Sequence, residues 1–210
     1  VSFTLGLCAV FVTLVFGIPA GVFSAYKQNT IIDRGCIFFA TLGISLPSFV
    51  LGSLLVLFFS HKLHWLPPAL WEGPRHVLMP AFALGAGYAG YIARLTRSAM
   101  LEALASDYVR TARAKGLEES AVLFKHALKN SITPIVSVMG PLAAGLVTGS
   151  FVIEFIFSLP GMGRFFITAV INRDYFLVMG ITLFYSLVLI SLNWIVDLLY
   201  SVVDPRMKVK

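Results

Sequence analysis

Charged residues are scarce in this sequence, and their absence from long stretches is its main feature. Only 12% of the 210 residues are Asp, Glu, Lys or Arg, whereas 58% are hydrophobic. A transmembrane helix requires about 20 mostly apolar residues, so this composition excludes a water-soluble globular protein. The sequence predicts an all-α membrane protein, a polytopic bundle of five transmembrane helices. Five runs contain no Asp, Glu, Lys, Arg or His: residues 1–26, 35–60, 77–93, 130–153 and 175–196.

The few basic residues predict how this bundle is oriented. Twelve Lys and Arg residues lie in the segment 27–34, the loop 94–131 and the tail after residue 197. The loops 61–76 and 154–175 together hold four. Because Lys and Arg accumulate on the cytoplasmic side, the first group and the C-terminus are predicted to be cytoplasmic, and the other two loops to lie outside. We place the spans at approximately 3–25, 36–60, 77–93, 132–153 and 176–198.

Motifs for catalysis, nucleotide binding and metal binding are absent as well. The sequence has no Gly-Lys-Ser or Gly-Lys-Thr phosphate loop and no His-Glu-x-x-His pattern. We therefore predict that the chain is not an enzyme and holds no cofactor or metal, and that its net charge of +6 reflects topology, not nucleic-acid binding. The histidines lie outside the apolar runs and the cysteines lie inside them, without metal-ligand spacing: His61, His64, His76, His126, Cys8 and Cys36.

The spans also lack the ionisable groups on which ion-coupled carriers depend. If the chain moves a solute, the energy for transport is predicted to come from a component that does not lie within the membrane. Glycines four residues apart, such as Gly17 and Gly21 or Gly145 and Gly149, predict close approach of helix backbones, as do those of the third span at 85, 87 and 90. Prolines inside the spans, at positions 47 and 141, favour kinks.

The loop 94–131 contains strong signals for a pair of short helices. Residues 108–115 favour a helix, with Ser106 as its N-cap and Gly116 as a left-handed C-terminal cap. We predict a second helix that opens with residues 118–120 and has an apolar stripe at Leu117, Ala121, Phe124 and Leu128.

This second helix is predicted to end at residues 130–134, where Ser131 would cap the next span. The loop would then be a helix–cap–helix elbow, able to transmit a push from a soluble partner to the bundle. A solvated basic loop is the alternative.

The same loop carries a resemblance to a known family. Residues 110–116 resemble the cytoplasmic coupling-loop motif of binding-protein-dependent ABC importer permeases, which reads Glu-Ala-Ala, three residues, Gly, nine residues, Ile, one residue, Leu-Pro. Ala112, Gly116 and Leu128 match this motif. Departures occur at Arg110, Thr111, His126 and Lys129.

These departures resemble the B-type subunit of the oligopeptide/dipeptide (peptide/nickel) branch of that family. Further agreement extends over nearly the whole chain, at residues 47–49, 149–154, 159–163, 172–175 and 204–205. Relative to the family, the first span and a large outer segment are missing, so we expect the sequence to be truncated at its N-terminus.

The resemblance implies a type I ABC importer permease fold in a bacterial inner (plasma) membrane, surrounded by lipid. It implies a second permease subunit, two cytoplasmic ABC ATPases, an external solute-binding protein and a peptide substrate. The predicted ATPase-coupling residues are Tyr108, Arg110, Thr111, Ala112, Arg113, Ala114, Lys115, Gly116, Leu117, His126 and Leu128. Predicted pathway or outer-gate residues are Pro47, Ser48, Glu154, Pro160, Gly161 and Gly163.

Several alternatives stay open at this stage. The same architecture could import nickel, given the three histidines of the loop 61–76, or another small solute. An ion-coupled carrier and an intramembrane enzyme are the other function classes. Glu154 could meet the amino group of a peptide, or it could cap the outer loop or pair with Arg164 or Arg173.

Overall fold

The computed structural model describes residues 1–147 and 150–203, and these form helices without β-strands. The first four are α1 (Ser2–Tyr26), α2 (Ile31–Ser45), α3 (Ser48–Leu55, continued by a π-helical segment at Val56–Lys62) and α4 (Pro74–Leu104). Two short helices follow, α5 (Asp107–Ala114) and α6 (Glu119–Ala121, continued by a π-helical segment at Val122–Ala127). The last four are α7 (Leu128–Val147), α8 (Phe151–Ile156), α9 (Met162–Ile171) and α10 (Tyr175–Val203).

The predicted all-α fold is confirmed. Gly149 and the tail from 204 to 210 lie outside the described residues, although they carry part of the sequence motifs and of the predicted cytoplasmic charge.

The chain divides into two compact units that both combine distant parts of the sequence. The first unit comprises residues 1–11, 47–85 and the described residues from 140 onward. The second unit comprises residues 12–46 and 86–139. Helices α1, α4 and α7 each contribute residues to both units.

Three helical stretches of the described residues are long and apolar enough to cross a membrane. They begin at Ser2, Glu119 and Tyr175, and α2 with α3 counts as a fourth if this bent pair is one span. The predicted span 77–93 lies inside α4, but its apolar run is only 17 residues long and includes glycines and tyrosines. The prediction of five spans stays a prediction.

Close helix packing explains several glycines of the second unit. A Cβ atom built on Gly21 of α1 would lie 2.5 Å from the carbonyl oxygen of Ala93 in α4, and one built on Gly90 would meet the backbone of Ala40 in α2. The predicted close approach is confirmed at these positions. At Gly145 an added Cβ would meet nothing within 4 Å, because that side of α7 is exposed, so close approach there stays a prediction.

The predicted kink at Pro47 is a complete break between helices. Helix α2 ends at Ser45 and α3 begins at Ser48, because Leu46 and Pro47 adopt extended backbone with ψ angles of 122° and 137°. Proline disfavours helical backbone in the residue before it, which accounts for the conformation of Leu46. Helix α7, in contrast, runs through Pro134 and Pro141 without ending.

Candidate functional site

The elbow, residues 107–127, is a helix-turn-helix whose turn depends on Gly116. Helix α5 ends at Ala114, and Gly116 has a φ of 75°, in the left-handed region. The amide of Gly116 donates to the carbonyl of Arg113 at 2.9 Å, and the amide of Leu117 donates to that of Ala112 at 3.4 Å. This pair of hydrogen bonds is the Schellman pattern, which satisfies carbonyls at a helix C-terminus. The predicted left-handed cap at Gly116 is confirmed.

The start of α5 differs from the prediction in one detail. Ser106 is the N-cap by backbone conformation, and its carbonyl accepts hydrogen bonds from the amides of Val109 and Arg110. Its hydroxyl, however, does not cap the helix but donates to the carbonyl of Ala103 at 2.5 Å. The side-chain cap is therefore wrong, because the hydroxyl bonds backward to the end of α4.

Hydrophobic burial holds the elbow against its own bundle. Val109 and Ala112 of α5 pack with Val22 of α1 and Met100 of α4 in one buried cluster. The second arm of the elbow adds three residues and the bundle two more: Val122, Leu123, Ala127, Ala25 and Ala103. We call this the elbow cluster. Because burial of each such side chain stabilises the packed state, α5 is seated on α1 and α4 and is not a free loop.

The apolar stripe predicted for the second arm is wrong. Leu117 and Phe124 are 42% and 58% exposed, whereas Val122, Leu123 and Ala127 are buried. The reason is the π-helical segment Val122–Ala127, which has more residues per turn than an α-helix and so rotates the buried face.

The second arm also does not end where the sequence predicts. Residues 130–134 continue the helix as α7, and Ser131 does not cap it. Instead, the Ser131 hydroxyl donates to the carbonyl of Ala127 at 2.8 Å and lies 3.2 Å from the carbonyl of Ala99 in α4. Local polarity suggests a helix start here, but the hydroxyl bonds back within the helix and against α4. The elbow therefore leads into α7 without a break.

An ion pair that the sequence analysis missed closes the two arms across the turn. The guanidinium of Arg113 donates to the carboxylate of Glu119 through Nη2 at 2.7 Å and Nε at 3.2 Å. These bonds raise the pKa of Arg113 above its ordinary value. The side chains are 44% and 41% exposed, so the pair contributes at most about 1 kcal/mol and serves mainly to fix geometry.

The outward face of the elbow carries most of the predicted coupling residues. Those that are exposed are Tyr108, Arg110, Thr111, Arg113, Ala114, Lys115, Gly116 and Leu117. His126 and Leu128 are half-buried. Ala112 must be reassigned, because its side chain is buried in the elbow cluster and seats the helix, so it is not available to a partner.

Glu154 organises a second group of predicted residues, in the first unit. It is fully buried, and its Oε2 atom accepts a hydrogen bond from the amide of Gly163 at 2.7 Å. The amide of Met162 donates to the Ser2 hydroxyl at 3.2 Å, and Gly161 packs directly against the Glu154 carboxylate. These contacts favour the loop-capping role over pairing with Arg164 or Arg173.

The remaining pathway residues lie at element boundaries. Pro47 is exposed and Ser48 is half-buried at the start of α3, and Pro160 is exposed before α9. Neither Pro47 nor Ser48 contributes to the hydrogen bonds at Glu154 in the described part of the chain. Within the same part of the chain, no group of His, Cys, Asp or Glu is arranged to hold a metal ion.

Sequence comparison places the chain among membrane transport components. Residues 17–209 match the family described as "Binding-protein-dependent transport system inner membrane component". The chain is 46% identical over 208 residues to the dipeptide transport system permease protein DppB of Bacillus subtilis (strain 168), covering 99% of the chain and 68% of that protein. It is 44% identical over 210 residues to the oligopeptide transport system permease protein OppB of Escherichia coli (strain K12), covering 99% and 69%.

Solved structures share the fold at lower sequence identity. A chain of the MetNI methionine ABC transporter, in an inward-facing conformation, has a TM-score of 0.78 and 17% identity, covering 97% of this chain and 93% of that chain. A chain of an amino acid ABC transporter has a TM-score of 0.71 and 16% identity, covering 94% and 88%. With a family match over most of its length and relatives above 40% identity, the chain belongs to the inner membrane components of binding-protein-dependent transport systems.

Proposed function

We propose that this chain is a permease subunit of an ATP-driven, binding-protein-dependent importer of small peptides, and that its elbow is the docking site of an ATPase subunit. The observation that carries the proposal is the seating of α5. One face of this helix is buried in the elbow cluster, and the other presents a basic, exposed surface. A helix held in this way can pass a displacement to the bundle.

The roles of the partner subunits follow from two features that the sequence lacks. It contains no phosphate-binding loop, so ATP hydrolysis belongs to partner subunits. The predicted spans contain no Asp, Glu, Lys, Arg or His that could bind a coupling ion. We therefore propose two cytoplasmic ATPases, a second permease that completes the pathway, and an external binding protein that delivers the solute.

The displacement has a continuous route through packed residues. A push on the exposed face of α5 acts on Val109 and Ala112, which contact α1 and α4 through the elbow cluster. Interiors at close packing transmit strain and do not absorb it. The second arm continues into α7, so three membrane helices receive the motion.

Peptide is the solute that we propose, because the two relatives described above are named as dipeptide and oligopeptide permeases. The histidines of the loop 61–76 alone do not support nickel. We further propose a multi-pass position in the bacterial inner membrane with a cytoplasmic C-terminus, which the twelve-to-four distribution of basic residues supports.

Reconstitution of the full-length protein with its partner subunits in proteoliposomes tests this function. We expect ATP-dependent accumulation of a labelled di- or tripeptide that requires the binding protein, and no accumulation of labelled Ni²⁺. Uptake of Ni²⁺ in preference to peptide would contradict the substrate. Uptake without ATPase subunits would contradict the mechanism.

A further inference from the structure

An ion pair with a buried carboxylate and a half-buried guanidinium lies in the second unit, away from the elbow surface. Asp33, in the first turn of α2, is 3% exposed, and its carboxylate accepts four hydrogen bonds. Arg97 of α4 donates to both oxygens at 2.8 Å, through Nε and Nη2. The Ser24 hydroxyl of α1 donates at 2.5 Å, and the amide of Asn29 donates at 2.9 Å.

The pair therefore ties together α1, the turn that follows it, α2 and α4. A bidentate Arg–carboxylate contact is planar and directional, so it fixes relative orientation more strictly than apolar packing does. Both oxygens of Asp33 are satisfied, which is the condition under which a buried charge is tolerated. As a source of stability such a pair is weak, since an apolar replacement of similar volume is often neutral.

The position of the pair relative to the elbow cluster suggests a different role. Ser24 lies on α1 between Val22 and Ala25, which belong to the elbow cluster, and Arg97 precedes Met100 of the cluster by three residues on α4. The ion pair itself joins α2 to α4, and the hydrogen bond from Ser24 to Asp33 adds α1. Asp33 therefore links α1 and α4, the two helices on which α5 is seated.

We propose that Asp33 and Arg97 are positioning residues that lock α1 to α4 through Asp33 of α2, so that both helices move together when the elbow is pushed. Without the lock, only packing contacts hold α1 to α4, and part of the displacement of α5 is lost as slippage between the two helices before it reaches the pathway. This role rests on the proposed function, because it concerns how ATPase motion is converted into transport.

The test compares variants of the full-length chain in the reconstituted transporter. Asp33→Asn keeps the shape of the side chain but removes the charge that Arg97 needs, whereas Arg97→Lys keeps a charge and loses the bidentate geometry. Arg34→Gln is the matched control, because Arg34 is the exposed neighbour of Asp33 in the chain. The readouts are peptide taken up per ATP hydrolysed, the melting temperature of the complex and ATPase co-purification.

For Asp33→Asn and Arg97→Lys we expect the ratio of uptake to hydrolysis to fall by about fivefold or more, with ATPase co-purification retained. Arg34→Gln should keep the wild-type ratio. An unchanged ratio in the Asp33 and Arg97 variants overturns the proposal, as does loss of uptake and hydrolysis in equal proportion with a lowered melting temperature.

If Asp33→Asn does not assemble, Arg97→Lys decides the question by the same two outcomes. The result for the wild-type complex distinguishes a failure of the proposed function from a failure of the positioning role. Wild-type complex that hydrolyses ATP but takes up no peptide refutes the proposed function, whereas normal uptake by wild type and both variants refutes only the positioning role.

Discussion

At the scale of single residues, the elbow depends most on the backbone of Gly116. An added Cβ atom there would meet nothing within 4 Å, so any effect of substitution is conformational. Val at a φ of 75° should cost about 1–2 kcal/mol, because left-handed backbone is strained for L-residues with a Cβ atom. We predict that Gly116→Val weakens co-purification of the ATPase subunits.

Gly116→Asn is the control for this prediction, since Asn tolerates left-handed backbone better than other residues do. It should retain most of the ATPase. Equal losses of co-purified ATPase with Val and with Asn would show that the left-handed backbone at residue 116 does not determine ATPase binding.

Residues two positions apart on α5 should differ sharply in accessibility. Ala114 is exposed, whereas Ala112 is 5% exposed inside the elbow cluster. We predict that Ala114→Cys reacts quickly with an aqueous thiol reagent and forms cross-links to an ATPase subunit, whereas Ala112→Cys reacts slowly even without partners. Rapid labelling of both cysteines would contradict the seating of α5.

Glu154 should act on the loop 154–175 as a whole and not on one kind of peptide. Glu154→Ala leaves the buried amide of Gly163 without its acceptor, a loss of about 1–3 kcal/mol. We predict a lower melting temperature and a similar proportional fall in uptake for acidic, neutral and basic peptides. The exposed Arg164→Ala is the control, and a selective loss for one class of peptide would instead assign the carboxylate to the solute.

At the scale of elements, the ion pair between Arg113 and Glu119 bridges the two arms of the elbow. Because the pair is about half exposed, Arg113→Gln should cost no more than about 1 kcal/mol, and the cost should shrink in high salt. The melting temperature of the complex at low and high ionic strength measures this. The double variant with Arg113→Glu and Glu119→Arg should recover most of the lost stability. A loss of stability that does not depend on salt would contradict the electrostatic role.

The elbow also shows where sequence reasoning succeeds and where it fails. Gly116 and the two helices around it were predictable, because the cap and the turn are local properties of a few residues. The buried face of the second arm was not, because a π-helical segment shifts the residues that face inward. The continuation through Ser131 depends on contacts with the preceding turn and α4, which local sequence does not specify.

The pair of Asp33 and Arg97 was missed for a similar reason. The two residues are 64 positions apart, and from the sequence alone each is an ordinary charged residue at the edge of an apolar run. One signal was present, since Asp33 is the only acidic residue before Glu72. A lone carboxylate at the edge of an apolar run is costly unless it is paired, which makes it a candidate for a partner on another helix.

At the scale of the whole molecule, the second unit contains both the elbow and the ion pair, and the first unit contains the Glu154 group. We propose that the second unit receives the force from the ATPase and that the first unit controls the loop 154–175. In this proposal, the elbow converts ATP hydrolysis by another subunit into solute movement through this one.

The most direct test is peptide accumulation in proteoliposomes that contain the full-length chain and its permease partner, with and without the ATPase subunits. The account predicts uphill uptake with ATP and ATPases, none without them, and reduced uptake when Gly116→Val replaces the wild-type chain. Uphill uptake by the membrane subunits alone, or full uptake with Gly116→Val despite loss of ATPase binding, would contradict it.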